Sequence, residues 1–216
     1  MTLDGTVTTI ARPGFVETLA LTPEGDILAS TGTAREQIIR ITLDGEISLV
    51  AGTPKQGGHR DGPADSALFT LVSGLAMDQA GRIYATEAVS LRTRGGNQLI
   101  RLVSPDGEVS TLAGQRFVTG YMDGPVEEAR FHHPVDIEVD AAGNLYIADS
   151  LNHCIRLITP DGMVSTIAGK CGYSGYADGV GAEALFNLPQ GIALDAEGNI
   201  YVADTRNHRI RKIVFE

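Results

Sequence analysis

Apolar and polar positions alternate along this chain in short runs, and the runs come in sets. The clearest set is GIALD (191–195), IYVAD (200–204) and HRIRKI (208–213), the last alternating charged with aliphatic residues. A period near two marks a half-buried strand, and runs this short are strands in preference to helices. The set recurs as DIEVD, LYIAD and HCIRLI within 136–158, and as GLAMD, IYATE and QLIRLV within 74–103. A more degenerate copy, TLALT, ILAST and QIIRIT, lies within 18–42. A turn carrying Gly25, Gly81, Gly143 or Gly198 joins the first two strands of each set, where positive φ is needed. Asp-Gly turns at 44–45, 106–107 and 161–162 then open a fourth strand: DGEISLVAG, DGEVSTLAG and DGMVSTIAG.

A four-stranded unit of this kind cannot bury both faces of its sheet alone, so the units must stack. Arranged in a circle they protect one another's edges, and units recurring roughly every 60 residues then predict a β-propeller. The expectation is an all-β chain, a single domain over 1–216, with four four-stranded blades. The repeats fall at approximately 12–52, 53–114, 115–169 and 170–216. The last set stops before its fourth strand, while DGTVTTIA (4–11) is a fourth strand without a blade. The N-terminal strand is therefore expected to complete the last blade and close the ring. The alternative is an open or larger ring completed by dimerisation, so the chain is read as a monomer or homodimer. On the third strands, Ile39, Ile100, Ile155 and Ile210 are expected to face a neighbouring sheet. Arg40, Arg101, Arg156 and Arg211 are expected at a blade boundary or in solvent.

The runs Asp149-Ser150-Leu151-Asn152-His153-Cys154-Ile155-Arg156 and Asp204-Thr205-Arg206-Asn207-His208-Arg209-Ile210-Arg211 resemble the NHL repeat. The phrase from Pro189 to Asp204, PQGIALDAEGNIYVAD, belongs to the same pattern. The second repeat is interrupted by AVSLRTRGGNQ (88–98), and the first keeps only the skeleton. NHL propellers commonly have six blades, whereas four are counted here. The resemblance implies an interaction platform, and similar propellers also serve as metal-assisted hydrolases or lyases, or bind RNA.

A net charge of −10 argues against nucleic acid and anionic membranes as partners. No apolar run is long enough to cross a bilayer, and MTLDGTVTTIA lacks a basic segment followed by a hydrophobic one. The expected compartment is the cytoplasm, or a secreted one if a leader has been trimmed. Cys154 and Cys171 fall in different repeats and are read as free thiols.

Length variation gathers in the connections 53–73, 115–135 and 170–190 and in the insertion 88–98, which topology places on one face. Within them DGPADSALF, DGPVEEARF and DGVGAEALF repeat. Asp61, Asp123 and Asp178 are read as turn formers before metal ligands, and Phe69, Phe131 and Phe186 as plugs between blades. The Asn-His pairs recur with Asp149 and Asp204 and are read as structural, with Asn in the left-handed conformation. Departures from the repeat carry more information. Where Pro189-Gln190-Gly191 obeys it, the other units read Pro134-Val135-Asp136, Val72-Ser73-Gly74 and Val16-Glu17-Thr18. Glu17, Ser73, Asp136 and Gln190 should meet at the mouth of the central channel, with His132 and His133 close by. Glu17, Asp136, His132 and His133 are the catalytic candidates, and Glu17 with Asp136 the metal candidates, a divalent cation being the one cofactor these residues suggest. Tyr121, Tyr173, Tyr176 and Arg130, with Arg60, Arg92 and Arg94, offer an aromatic and cationic rim. With Ser73 and Gln190 they complete the ligand-binding candidates. The leading expectation is a binding module presenting its loop face to a protein, peptide or small ligand; the alternative is a metal-assisted hydrolase or lyase at the channel mouth.

Overall fold

The computed structural model describes residues 5–32, 36–89 and 96–215. Most of the insertion, with Arg92 and Arg94, lies outside the described residues. Blade 1 is β1 (Val16–Leu21), β2 (Ile27–Thr31), β3 (Gln37–Ile41) and β4 (Ile47–Ala51), antiparallel in chain order. β5 (Gly62–Pro63) edges blade 2, whose other strands are β6 (Val72–Met77), β7 (Ile83–Val89), β8 (Gly96–Val103) and β9 (Glu108–Gly114). β10 (Gly124–Pro125) likewise edges blade 3, made of β11 (Pro134–Val139), β12 (Leu145–Asp149), β13 (Cys154–Ile158) and β14 (Met163–Ala168). Blade 4 is β15 (Pro189–Leu194), β16 (Ile200–Asp204) and β17 (Arg209–Ile213). The four blades agree with the sequence expectation.

The core lies between blades, because each sheet has two apolar faces and only its neighbours can cover them. Leu28, Ile38 and Ala51 of blade 1 meet Leu75, Ile83 and Val103 of blade 2 around Phe69. Phe131 fills the same place between blades 2 and 3, and Phe186 between blades 3 and 4. The plug reading of these three phenylalanines is thus correct. The glycine ending each fourth-strand phrase is also explained. Gly52, Gly114 and Gly169 have φ of 99°, 89° and 89°, and a Cβ would stand 2.2, 2.1 and 2.7 Å from the carbonyl oxygens of Glu36, Gln98 and His153. No other residue fits there.

Each plug carries a buried cation. Arg101 and Arg156 are fully buried and Arg211 nearly so, their guanidinium carbons 4.8, 5.1 and 5.0 Å from the ring centroids of Phe69, Phe131 and Phe186. One guanidinium nitrogen donates to the acid ending the second strand: Arg101 to Glu87, Arg156 to Asp149 and Arg211 to Asp204, each at 3.0 Å. The other donates to the connection's aspartate: Asp61, Asp123 or Asp178, each at 2.6 Å. The repeated aspartates are therefore arginine counter-ions, held where the connection doubles back. In blades 2 and 3 their free edge also accepts the backbone N–H of Thr111 and Thr166, at 3.0 and 3.1 Å.

Two corrections concern the third strand and the cysteines. Ile38, not Ile39, shares the register of Ile100, Ile155 and Ile210, and Ile39 occupies the arginine position. Arg40 sits one place further on and pairs at the surface with Asp26 and Glu24. The cause is compositional: blade 1 has Thr31 where the others have an acid, so no buried cation is tolerated there. Cys154 and Cys171 form a disulfide rather than free thiols, Cα atoms 5.2 Å apart, because the connection after β14 returns beside β13.

A further correction concerns closure. Blade 4 has three strands, and residues 5–11 of the N-terminal segment form no strand and do not pair with β17. The segment is held on blade 1 instead. Ala11 packs against Ala29, Ile39 and Ile41, and the Thr31 hydroxyl donates to the Phe15 and Pro13 carbonyls at 2.7 and 3.2 Å. β1 packs on β6, β6 on β11 and β11 on β15, and no packing of that kind joins β15 to β1 among the described residues. Leu19 is accordingly 61% exposed, while its counterparts Leu75, Ile137 and Ile192 are 4%, 1% and 6% exposed.

Replacing Arg156 with Ala strands Asp149 in the core without its cation. The expected loss is about 3–5 kcal/mol in denaturant unfolding, whereas Arg40→Ala, an exposed pair, should cost about 1 kcal/mol or less.

Candidate functional site

Every inner strand begins with a break in register. The pairing with the second strand shifts between Val16 and Leu19, Val72 and Gly74, Pro134 and Asp136, and Pro189 and Gly191. A bulge at this point turns its extra residue away from the ladder. Here it turns Glu17, Ser73, Val135 and Gln190 toward a common space on the loop face. That space is a cavity of about 360 Å³ lined by Glu17, Thr18, Ser73, His133, Val135, Asp136 and Gln190. Glu17, Ser73, Asp136 and Gln190, the four positions expected at the channel mouth, thus line one cavity, and His133 joins them.

Asp136 is the most constrained group of the mouth. Its Oδ2 accepts the N–H of Ile192 on β15 at 2.8 Å, and its Oδ1 the N–H of Ile137 at 3.0 Å. The carboxylate therefore ties blade 3 to blade 4 as well as facing the cavity. Gly74, its counterpart on β6, has to be glycine: a Cβ there would lie 2.7 Å from the Asp136 Cα. Burial raises Asp136 to about 6, although both backbone donors pull it down. Glu138, two residues along the same strand, is raised to about 7 by burial and then by the charge of Asp136. It was missed from the sequence. The signal was present: Glu138 stands where the other inner strands carry Ala20, Ala76 and Ala193.

The other candidates lie elsewhere. His132 is not in the cavity lining; its backbone N–H donates to Asp149 at 2.8 Å, and burial lowers its imidazole. Tyr121, Tyr173 and Tyr176 are exposed, as the rim reading requires, but none lines the mouth. Tyr176 stacks under Arg209 and Arg211 at the outer edge of blade 4, and Lys170 lies over Tyr173 at 4.4 Å. Arg130 donates to the Gln115 side chain. Arg60 is occupied by the Ser66 carbonyl. Among the described residues no three histidine, cysteine, aspartate or glutamate side chains are grouped as a metal would need.

The Asn-His pairs are structural, in a form the sequence misassigned. Asn152 and Asn207 close short 3-10 turns, and their side-chain amides donate to Asp149 and Asp204 and to the Gly120 and Gly175 carbonyls. The left-handed residues are the histidines, with φ of 59° at His153 and 54° at His208. His153 Nδ1 then accepts the N–H of Leu188 in the next connection at 3.1 Å. Gln98 and Glu36 hold the same place and accept from His133 and Lys55. This side chain is a blade-to-blade latch.

Four stacked antiparallel sheets around a polar channel mouth define a β-propeller. Residues 186–213 match the NHL repeat family. The chain is 30% identical over 179 residues to NHL repeat-containing protein 2 of Bos taurus, covering 77% of this chain and 24% of that protein. It belongs to the NHL-repeat β-propellers and spans about a quarter of that relative. Among solved structures it resembles an auxiliary nutrient binding protein from Bacteroides ovatus, with a TM-score of 0.55 and 22% identity over 91% of this chain and 58% of the other. It also resembles a virginiamycin B lyase from Staphylococcus aureus, with a TM-score of 0.51 and 16% identity over 93% of this chain and 56% of the other. At these identities the likeness is one of fold. No helix among the described residues is long and apolar enough to cross a membrane.

Asp136 and Glu138 hold a proton more tightly in the folded chain than their ordinary values of 3.8 and 4.5 allow. They therefore favour the fold most at pH below those values, and that contribution is lost as pH rises through about 6 and about 7. Melting temperature should fall from pH 5 to pH 8, and Glu138→Gln should flatten the upper part of that decline.

Proposed function

We propose that this chain is a binding module that seats a small polar ligand in the channel mouth. One observation carries the reading: the bulges of the four inner strands bring Glu17, Ser73, Val135 and Gln190 into one cavity, three of them polar and none alike, and Asp136 lines it with them. A volume of about 360 Å³ suits a small molecule rather than a protein surface. With Glu17 and Asp136 as acceptors and Ser73 and Gln190 as flexible partners, the ligand is one rich in hydrogen-bond donors, a polyol or an amine. Tyr121, Tyr173 and Arg130 lie outside the cavity and would serve a larger ligand or a protein as rim contacts. A nutrient-binding protein among the structures of like fold supports a binding role by analogy.

The lyase-like fold neighbour and the raised Asp136 and Glu138 favour a second reading, acid–base catalysis at the same mouth. A divalent cation on Glu17 and Asp136 would have to complete its coordination with water or substrate.

Thermal-shift screening with polyols, neutral sugars and small amines should find a class that raises the melting temperature. Gln190→Ala and Ser73→Ala, both outside the core, should weaken that class about tenfold by calorimetry, the scale of one lost hydrogen bond. Ligands that bind these variants as well as the parent would overturn the reading. Stoichiometric divalent metal in protein purified without chelator, lost in Glu17→Gln, would favour catalysis instead.

A further inference from the structure

Among the described residues blade 4 has three strands, and the repeat specifies what a fourth would carry. Beyond β17 lies a groove of about 750 Å³, its walls including Ile167, Asp178, Val180, Phe186, Ile210 and Ile213. The ion triad is in place, since Arg211 bridges Asp204 and Asp178 as its counterparts do in blades 2 and 3. Only the cover is absent. The Asp178 side chain is 76% exposed, against 43% for Asp61 and 48% for Asp123, and Ile210 is 73% exposed where Ile155 is buried.

The repeat dictates what fits. In blades 2 and 3 the covering strand brings a buried Val109 or Val164, a Thr111 or Thr166 on the connection's aspartate, and a buried Ala113 or Ala168. The N-terminal segment presents Val7, Thr9 and Ala11 at the same spacing. Blade 1 shows that the spacing is specific: lacking the triad, it carries Leu49 at the threonine position. Val7 is meanwhile 96% exposed, so the donor strand is as incomplete as the groove.

We propose that residues 5–11 of a second copy of this chain enter the groove as the fourth strand of blade 4, and that two copies exchange these strands reciprocally. The segment's own position favours an exchange over self-closure. It leads straight into Pro13 and Phe15, whose carbonyls Thr31 ties to the opposite end of the arc from β17, and entering a partner's groove would cost it only the Ala11 contact on blade 1. That end also exposes Leu19 and Leu21, the apolar face that blades 2 to 4 bury against a preceding blade. The partner's blade 4 offers the matching trailing face, with Ile210, Tyr201 and the latch residue His208 exposed. One donor and one acceptor on each chain close a two-fold dimer without leaving a free edge.

The registers Leu102 with Ser110 and Leu157 with Ser165 place Thr8 of the donor opposite Lys212. Thr8→Cys and Lys212→Cys chains, purified separately and mixed under mild oxidation, should give a disulfide-linked dimer absent from either alone. Light scattering of the parent should give twice the chain mass at micromolar concentration. Val7→Asp, which changes only an exposed residue of the free chain, should weaken that dimer at least about tenfold by burying a charge. A Thr8→Cys/Lys212→Cys double variant that crosslinks within a monomer would overturn the exchange in favour of self-closure. A monomeric parent with no crosslink in either format would overturn it outright. Ligand binding at the mouth is measured separately, so failure here leaves the binding reading standing.

Discussion

A guanidinium held between two carboxylates, its carbon about 5 Å from the centre of a phenylalanine ring, is the constraint from which the other features follow. Arg101 and Arg156 are out of reach of bulk water and Arg211 nearly so, and a cation so placed is tolerable only when both fork positions find partners. One partner ends the second strand and the other sits in the connection from the preceding blade. The pair therefore fixes how the connection folds back and where Phe69, Phe131 or Phe186 must lie. Burial raises Asp149 to about 6 even though Arg156, Asn152 and the His132 N–H all pull it down. Blade 1 confirms that the parts form a unit. It has Thr31, Ile39 and Leu49 at the positions of acid, arginine and threonine, and an apolar seat for Ala11 in place of the ions.

Rigid blade boundaries are what let a polar mouth persist at the centre. In blades 2 to 4 the bulged inner strand is anchored at its start to the acid of the second strand: Val72 opposite Glu87, Pro134 opposite Asp149, Pro189 opposite Asp204. Those same acids accept connection N–H groups from Thr70, His132 and Asn187. The side chains of Ser73, Val135 and Gln190 are aimed by backbone that two independent networks hold. A site on such a frame loses little freedom when it binds, which is the condition for affinity from few contacts.

The strands, the blade count, the phenylalanine plugs and the convergence of Glu17, Ser73, Asp136 and Gln190 were legible because each depends on period or on position within the period. The features that were misread, the pairing of residues 5–11 with β17 among them, depend on which segments meet in space, which period does not encode. Asp61, Asp123 and Asp178 precede glycine like any turn aspartate, and nothing local tells a turn former from an arginine counter-ion. QIIRIT offers two registers related by one residue, and the choice between Ile38 and Ile39 is made by the acid that blade 1 lacks. Cys154 and Cys171 stand 17 residues apart, and only the return of the connection beside β13 brings them into bonding range. The left-handed residue fell on histidine rather than asparagine because the 3-10 turn already uses the asparagine amide to close itself.

Internal comparison is more informative in a repeat chain than any single motif, since every blade is a control for the others. Most differences between blades here are compensated: an acid, an arginine and a threonine vanish together from blade 1. Glu138 is not, and Asp136 is only in part, through the Ile192 and Ile137 N–H groups it accepts. They add two carboxylates to one inner strand where the other three carry Thr18, Gly74 and Gly191, then Ala20, Ala76 and Ala193, and the charge of Asp136 adds to the cost of ionising Glu138. Packing alone selects against such a pair, because an alanine at the second position serves three blades without penalty. Asp136 at least ties blade 3 to blade 4 through the Ile192 N–H, whereas no hydrogen bond or ion pair among the described residues offsets the burial of Glu138.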